Sequence, residues 1–302
     1  MLSGSDFSPV RLEDRPRFVS HYHTYPQVHS DNTFTNMICW NSYAHYRYAD
    51  LKENILISST IEGKTSFRPP IGPRDPEILA DLLELCVQKG DETPLSLVDE
   101  AQRAWILSEY PDLLLYQDRN YFEYVYRTED LATLPGKNYL SIRRHLNRFR
   151  NNCKPVLEPL DSQNHDEVTA FLIEWCEWKN CDGEPFLAHE KEALLCALSH
   201  MAELGLSGLM IRVVGKVGAI YLFEPLNEET LVVHFEKGLP DCEGIYKAIN
   251  AETAYYAKER FPFINRESDM GVPGLREAKK RYHPHHMVEV WYASRDDIEQ
   301  VL

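Results

Sequence analysis

No apolar run in the 302 residues approaches the length of about 18 needed to cross a bilayer, so no transmembrane segment is predicted. The opening stretch, MLSGSDFSPVRLEDRPRF, lacks the cationic and apolar regions of a signal peptide. Glycine (14) and proline (18) are too few for a low-complexity or fibrous chain. Cations are also in deficit. With 32 Lys and Arg against 47 Asp and Glu, the formal charge is −15, which excludes indiscriminate phosphate binding. The seven cysteines, at 39, 86, 153, 176, 181, 196 and 242, contain no CxxC pair. Cys176 and Cys181 have no second Cys/His pair at zinc spacing, so no metal site is expected. All seven are expected to be reduced, mostly buried thiols of a cytoplasmic protein.

What is present is ordinary globular composition, 43% apolar and 26% charged. The length admits two domains of roughly 100–200 residues each. In the first half, strands are predicted at 43–48, at 54–60 and at 64–67, the last two joined by a Glu62-Gly63 turn. A proline-rich loop, FRPPIGPRDP, follows. Asp75 and Pro76 then open a helix with Ile78, Leu79, Leu82, Leu83 and Val87 on one stripe, closed by Gly90. A strand at 95–98, a helix at 99–107 and an aromatic, β-prone stretch at 116–126 complete this half.

The second half starts with a basic helix at 139–151. Helices at 166–179 and 189–204 follow, then strands at 209–214, 217–223 and 231–236 as an antiparallel meander. A helix at 244–258, a strand at 263–265, a helix at 273–281 and a strand at 287–292 end the chain. The first half repeats this order in shorter form. The fold class predicted is α/β (α+β), a duplicated domain with mixed central sheets flanked by helices. Its units would be 1–125 and 126–302, the second including the connecting helix 139–151.

Two helices, a three-stranded meander, a helix, a strand, a helix and a strand is the order of the GNAT acyltransferase fold. Three motifs narrow the comparison: LPGKNYLSIRRHLNRF (134–149), VVHFEKGLPDCEGIYKAIN (232–250) and FINRESDMGVPGLREAKKRYHP (263–284). Together they resemble a family of bacterial and archaeal proteins grouped with the C-terminal domain of phosphatidylglycerol lysyltransferase. Those proteins look like tandem GNAT folds related to the Fem-type peptidyltransferases, and the resemblance covers most of the chain. It implies an acyl- or aminoacyl-transferase whose donor is not acetyl-CoA. The membrane-spanning half of the full-length lysyltransferases does not occur in this sequence, so their phospholipid acceptor is not carried over.

Charge is distributed unevenly. Lys137, Arg143, Arg144, Arg148, Arg150 and Lys154 lie in one acid-free stretch of charge +6, leaving 26 basic and 47 acidic groups, or −21, on the other 284 residues. Lys137, Arg143, Arg144, Arg148 and Arg150 are the candidate polyanion-binding residues, for tRNA or a lipid head group. The same face would also serve as a solvated surface packed against acidic neighbours.

On the third strand of the meander, alternation places His234 and Glu236 on one face and Phe235 and Lys237 on the other. The GNAT resemblance implies a base near this strand, which makes Glu236 the first candidate for proton abstraction. The run after the next strand, INRESDMG, offers Asn265, Arg266, Glu267 and Asp269. Arg266 is a fork for a carboxylate or phosphate, and Glu267 or Asp269 would hold an ammonium. Glu267 is the second candidate base. Arg276, Lys279 and Lys280 share one helical face able to meet an anion. His234, Tyr246, Asn250, Asn265, Arg266, Asp269, Arg276 and Lys279 together form the expected substrate-binding set. His283, His285 and His286 are read as a surface turn, since Pro284 interrupts them.

The loop after the meander is GLPDCEG. A GNAT cofactor loop holds pyrophosphate on backbone amides at a helix N-terminus, and Asp241 and Glu243 would oppose that anion. FRPPIGPRDP occupies the corresponding place in the first half, with Arg68 and Arg74 but too many prolines to donate N–H groups. The expected protein is therefore a cytoplasmic acyl- or aminoacyl-transferase acting in the cleft between its halves. No cofactor is expected to be tightly bound, and aminoacyl-tRNA is favoured over acetyl-CoA. The partners expected are tRNA or another polyanion at the basic helix and a small-molecule acceptor, with peripheral membrane contact left open. The alternative is a non-catalytic amino acid or metabolite binding protein on the same fold.

Overall fold

A computed structural model describes residues 2–161 and 163–302, Asp182 by its backbone alone. Two seven-stranded mixed sheets organise it. The strands are Ser8–Pro9 (β1), Arg47–Leu51 (β2), Asn54–Ile61 (β3), Lys64–Phe67 (β4), Leu95–Val98 (β5), Tyr116–Gln117 (β6), Glu123–Arg127 (β7), Val156–Pro159 (β8), Ser207–Val213 (β9), Lys216–Pro225 (β10), Thr230–Gly238 (β11), Phe263–Ser268 (β12), His286–Val288 (β13) and Trp291–Ala293 (β14). One sheet runs β1-β2-β3-β4-β5-β14-β6, the other β13-β7-β12-β11-β10-β9-β8.

In the first sheet, β3 and β4 are joined through Glu62 and Gly63, with φ of 51° and 81°, as a primed hairpin turn requires. The β2–β3 hairpin turns at Lys52 and Glu53, also at positive φ (46° and 63°), without the glycine or asparagine that would announce it. Strand β2 therefore begins at Arg47, later than the expected 43–48. The Pro76–Lys89 helix starts as its sequence requires, the Asp75 carboxylate accepting from the N–H groups of Glu77 and Ile78. It buries Ile78, Leu79, Leu82 and Leu83 in a core with Leu56, Phe67, Leu95 and Trp291. Gly90 closes it with φ of −75°, so left-handed freedom is not why it is glycine. A Cβ there would lie 2.1 Å from Pro94 Cβ and 2.6 Å from the Cys86 carbonyl oxygen.

The stretch 116–126 does not form one strand. The short turn Arg119–Tyr121 divides it into β6 of the first sheet and β7 of the second. The expected strand 287–292 likewise divides into β13 and β14. Strand β14 lies between β5 and β6, antiparallel to both, with Trp291 opposite Val98 and Gln117. Residues 288–302 and 268–272 consequently cluster with 1–123, and the other unit is 124–267 with 273–287. Contiguous units of 1–125 and 126–302 differ from this at the C-terminal end. Trp291, Ala293 and Ile298 are buried in the first unit's core, and that burial draws the last segment back.

In the second unit, β9, β10 and β11 form the expected antiparallel meander. Strand β12 runs parallel to β11, but their register covers only Thr230, Leu231 and Val232 against Phe263, Ile264 and Asn265. Beyond those pairs β11 continues to Gly238 and β12 to Ser268 with no further register between them among the described residues. The Leu140–Cys153 helix buries Ile142, Leu146, Phe149 and Cys153 against a core shared with the Ile245–Ala257 helix. Gly244, at φ 99°, caps the latter helix, and a Cβ there would lie 3.0 Å from the His145 carbonyl. The expected helix 189–204 is Pro185–Ser199 followed by the separate turn Met201–Leu204.

Not all cysteines are thiols, contrary to expectation. Cys153, at the end of its helix, is bonded to Cys242, in the loop 89 residues later. Only tertiary folding joins them, which is why spacing gave no sign of the pair. Cys39, Cys86, Cys176, Cys181 and Cys196 are free. Among the described residues no helix is long and apolar enough to cross a membrane.

Candidate functional site

The residues of interest gather where β11 and β12 part. Along β10, Leu222 faces Phe235 and Phe223 faces Val233, so His234 is an extra residue, a β-bulge in β11. The bulge corrects the expected alternation, because His234 and Glu236 do not share partners. Glu236 turns to Tyr221, whose hydroxyl donates to its Oε2 at 2.8 Å, and to Arg266, whose Nη2 donates at 2.5 Å. In the amide orientation that satisfies its neighbours, the Asn250 oxygen accepts from Arg266 Nη1 and Nε at 2.8 and 3.1 Å. The rings of Tyr282 and Tyr126 lie 5.0 and 5.8 Å from the guanidinium carbon. Burial opposes the Arg266 charge, but Glu236 together with Tyr221, Tyr126 and Tyr282 outweighs it, and the group stays protonated. Burial also pushes the Tyr282 hydroxyl up to about 12, so that phenol is neutral.

His234 turns instead to two other carboxylates. Its side chain is fully enclosed, Nε2 lying 2.9 Å from Glu224 Oε1 and Nδ1 lying 3.0 Å from Glu267 Oε1. Burial alone would lower its pKa, but the bonds to Glu224 and Glu267 outweigh that and raise it to about 10. The ring is an imidazolium at neutral pH, donating from both nitrogens.

The strand end that presents Glu267 is held in an unusual conformation. Glu267 has φ of 57°, in the left-handed region. The Asn265 side chain accepts its N–H at 2.8 Å, and the buried Lys279 ammonium donates to the carbonyls of Arg266 (2.6 Å) and Glu267 (3.1 Å). Asn265 and Lys279 therefore position the bend. Lys279 is buried while Lys280 is exposed beside Glu277, so Arg276, Lys279 and Lys280 do not form the single basic face expected of them. Arg276 is half-buried. Asp269 is assigned to the first unit. It is fully buried and accepts from Arg119 at 3.2 Å and the Gly271 N–H at 2.9 Å.

Tyr246 lies elsewhere in the second unit, its hydroxyl accepting from Trp175 Nε1 at 3.3 Å. Beside Trp175, Lys237 donates to Glu190 at 2.6 Å and sits 4.4 Å over the indole ring. Trp175, Lys237 and Glu190 line a small recess with Leu172, Cys176 and Leu194. Sequence reasoning missed Tyr126, Tyr221, Tyr282, Glu224 and Glu190. For Tyr126, Tyr221 and Glu224 the one signal is a polar tip inside an apolar strand.

The basic helix is largely engaged. Arg143 donates to the carbonyls of Leu134 and Gly136, Arg148 lies 3.3 Å from Glu243, and Arg150 lies 2.8 Å from Glu252. Arg148 thus partly compensates the acid charge of the 239–244 loop, and His145 also approaches Glu243 at 3.4 Å. Lys137 and Arg144 are exposed and pair with no acid among the described residues. In the first unit, Arg68 is buried, donating to the Asp31 carbonyl (2.5 Å) and Asn32 Oδ1 (2.7 Å). Arg74 donates at 3.4 Å to the Ala101 carbonyl. Of the HPHH histidines, His285 lies between His286 (2.9 Å) and Arg127 (2.8 Å). No group of three or more His, Cys, Asp or Glu able to hold a metal occurs among the described residues.

Solved structures with this architecture place it among tandem GNAT-like folds, mixed α/β proteins with helices flanking their sheets. The chain belongs to the phosphatidylglycerol lysyltransferase C-terminal family, whose model matches residues 22–294. A conserved protein of unknown function from Bacteroides thetaiotaomicron VPI-5482 is 31% identical, with a TM-score of 0.89 over 95% of this chain and 98% of that one. L-PGS from Bacillus licheniformis matches at TM-score 0.66 and 13% identity, over 94% of this chain and 92% of that one. FemX matches at TM-score 0.57 and 8% identity, over 98% and 99%.

Proposed function

We propose that this protein transfers an acyl or aminoacyl group to an amine or hydroxyl acceptor, with aminoacyl-tRNA favoured over acetyl-CoA as donor. Family membership supports the transferase kind. The observation that carries the chemistry is the polar group at the divergence of β11 and β12. There, Glu236 stands between the Tyr221 hydroxyl and the Arg266 guanidinium, a carboxylate set to receive an acceptor's proton beside a cation that stabilises developing negative charge. His234, Asn250, Asn265 and Lys279 hold this end of the sheet, and Glu267 is the second proton acceptor.

Two observations support a donor other than acetyl-CoA. The loop before the Ile245–Ala257 helix carries Asp241 and Glu243 where a pyrophosphate would dock, and Cys242 within it is tied to Cys153. Lys137 and Arg144, exposed cations of the basic stretch that pair with no acid among the described residues, are the proposed contacts to tRNA phosphates.

The test is transfer of a labelled amino acid from charged tRNA to polyamine and hydroxyl acceptors at low salt, alongside thermal-shift screening with amino acids and acyl-CoAs. Transfer that falls by roughly 10²–10⁴-fold in Glu236→Gln supports the assignment. Stabilisation by acyl-CoA would overturn the donor argument. A second reading, a non-catalytic binding protein, draws on the same geometry, since Arg266 and Tyr221 already occupy Glu236. It predicts stabilisation by a free amino acid or metabolite without turnover.

A further inference from the structure

A second pair of sulfurs meets in the second unit. Cys176 lies in the last turn of the His165–Lys179 helix, and Cys181 opens the short turn Cys181–Gly183 that leads into the Pro185–Ser199 helix. Asn180, in the left-handed conformation at φ 54°, folds the chain back so that the two Sγ atoms stand 2.6 Å apart. The turn is closely set, for a Cβ on Gly183 would lie 2.3 Å from the Asn180 amide nitrogen. Both cysteines are buried, and Cys176 also lines the recess formed by Trp175, Glu190 and Lys237. Burial pushes the Cys176 thiol up, to about 12, so at rest it is a protonated thiol.

We propose that Cys176 and Cys181 are an oxidisable pair that closes to a second disulfide, using a small-molecule disulfide as oxidant. The two thiols give up two protons and two electrons as the Cys176–Cys181 bond forms. The oxidant's own S–S bond breaks, and it leaves as two thiols. The sulfurs are already within reach, so closure needs no rearrangement of the backbone. The chain already carries one disulfide at Cys153–Cys242. The thiolate and not the thiol attacks the oxidant, so the exchange becomes faster as pH rises. The bond ties the 181–183 turn to the helix that carries Trp175, and so fixes one wall of the recess.

The experiment uses the full chain, fully reduced, then exposed to glutathione disulfide, denatured, alkylated and mapped by mass spectrometry after trypsin. Lys179 lies between the two cysteines, so cleavage there leaves the bond joining two separate peptides. The expected result is joint loss of alkylation at Cys176 and Cys181, a linked peptide pair lighter by two hydrogens, and a faster rate at higher pH. The same pair should close in Cys153→Ser/Cys242→Ser. The proposal is overturned if Cys176 and Cys181 stay alkylated while Cys153 and Cys242 reoxidise. It is also overturned if glutathione remains attached to either cysteine as the end product.

Discussion

An imidazole enclosed between two carboxylates must carry its proton, or else one carboxylate loses a donor. His234 between Glu224 and Glu267 is such a group, with its pKa raised to about 10. A raised folded-state value stabilises the fold in full below the unfolded value of about 6.5, and that contribution drains away as pH climbs through the folded value. The unfolding free energy of the protein should therefore exceed that of His234→Gln by most near pH 6, with the gap closing towards pH about 10. Denaturant unfolding across that pH range, or direct NMR titration of the ring, measures it. Arg266 supports a second prediction. Arg266→Ala leaves Glu236 without its cationic partner, and since removing one member of a fully buried pair costs about 3–5 kcal/mol, this partly buried one should cost up to that amount. Arg266→Met with Glu236→Leu should recover most of that stability in urea unfolding while leaving transfer activity absent. At this scale the sequence was partly legible. His234, Glu236, Arg266 and Glu267 stood out because ionisable groups are unusual on and beside an apolar strand. Their pairings did not, because a single bulged residue sends His234 and Glu236 to different partners.

Elements whose signals are local were legible almost to the residue. Strand β4 at 64–67, strand β5 at 95–98 and the helix capped by Asp75 all follow from turn and cap chemistry carried within a few positions. The β2–β3 hairpin was less so, since Lys52 and Glu53 occupy positive-φ positions that favour glycine or asparagine. The Leu140–Cys153 helix shows the limit most clearly. Its amphipathic pattern and six cations in and around it were plain, yet the partners of Arg148 and Arg150 lie 95 and 102 residues away. Its C-terminal Cys153 is held by Cys242. Closing a loop of 89 residues limits the unfolded chain by roughly 4–5 kcal/mol in the chain-entropy model. Reduction should lower the unfolding free energy by up to that amount, and Cys153→Ser should reproduce the loss. A thermal or urea midpoint unmoved by reductant would show that the bond is not formed in solution.

Across the whole molecule, the first unit is completed by the end of the chain. Strand β14 fills the place between β5 and β6, and Trp291, Ala293 and Ile298 enter the core with Leu95, Val98 and Trp105. Deleting Val288–Leu302 should therefore strip hydrogen-exchange protection from the amides of β5 and of the Pro76–Lys89 helix. If those amides stay protected, the returning segment is dispensable. Charge is also a whole-molecule property. The total of −15 divides into +6 on one stretch and −21 on the rest, and two of the stretch's cations, Arg148 and Arg150, pair with Glu243 and Glu252.

By itself, the sequence determined the α/β class, many of the helices and strands, the meander of the second unit and the family resemblance. Each of these is encoded by periodicity, caps, turns and motifs that act over a few residues. The tertiary structure alone decided which sheet takes the last strand, which cysteines bond, and which carboxylate meets which cation. These depend on register and on the meeting of residues far apart in sequence. A shift of one residue in a strand, such as the bulge at His234, reassigns a side chain's partners without altering any local signal.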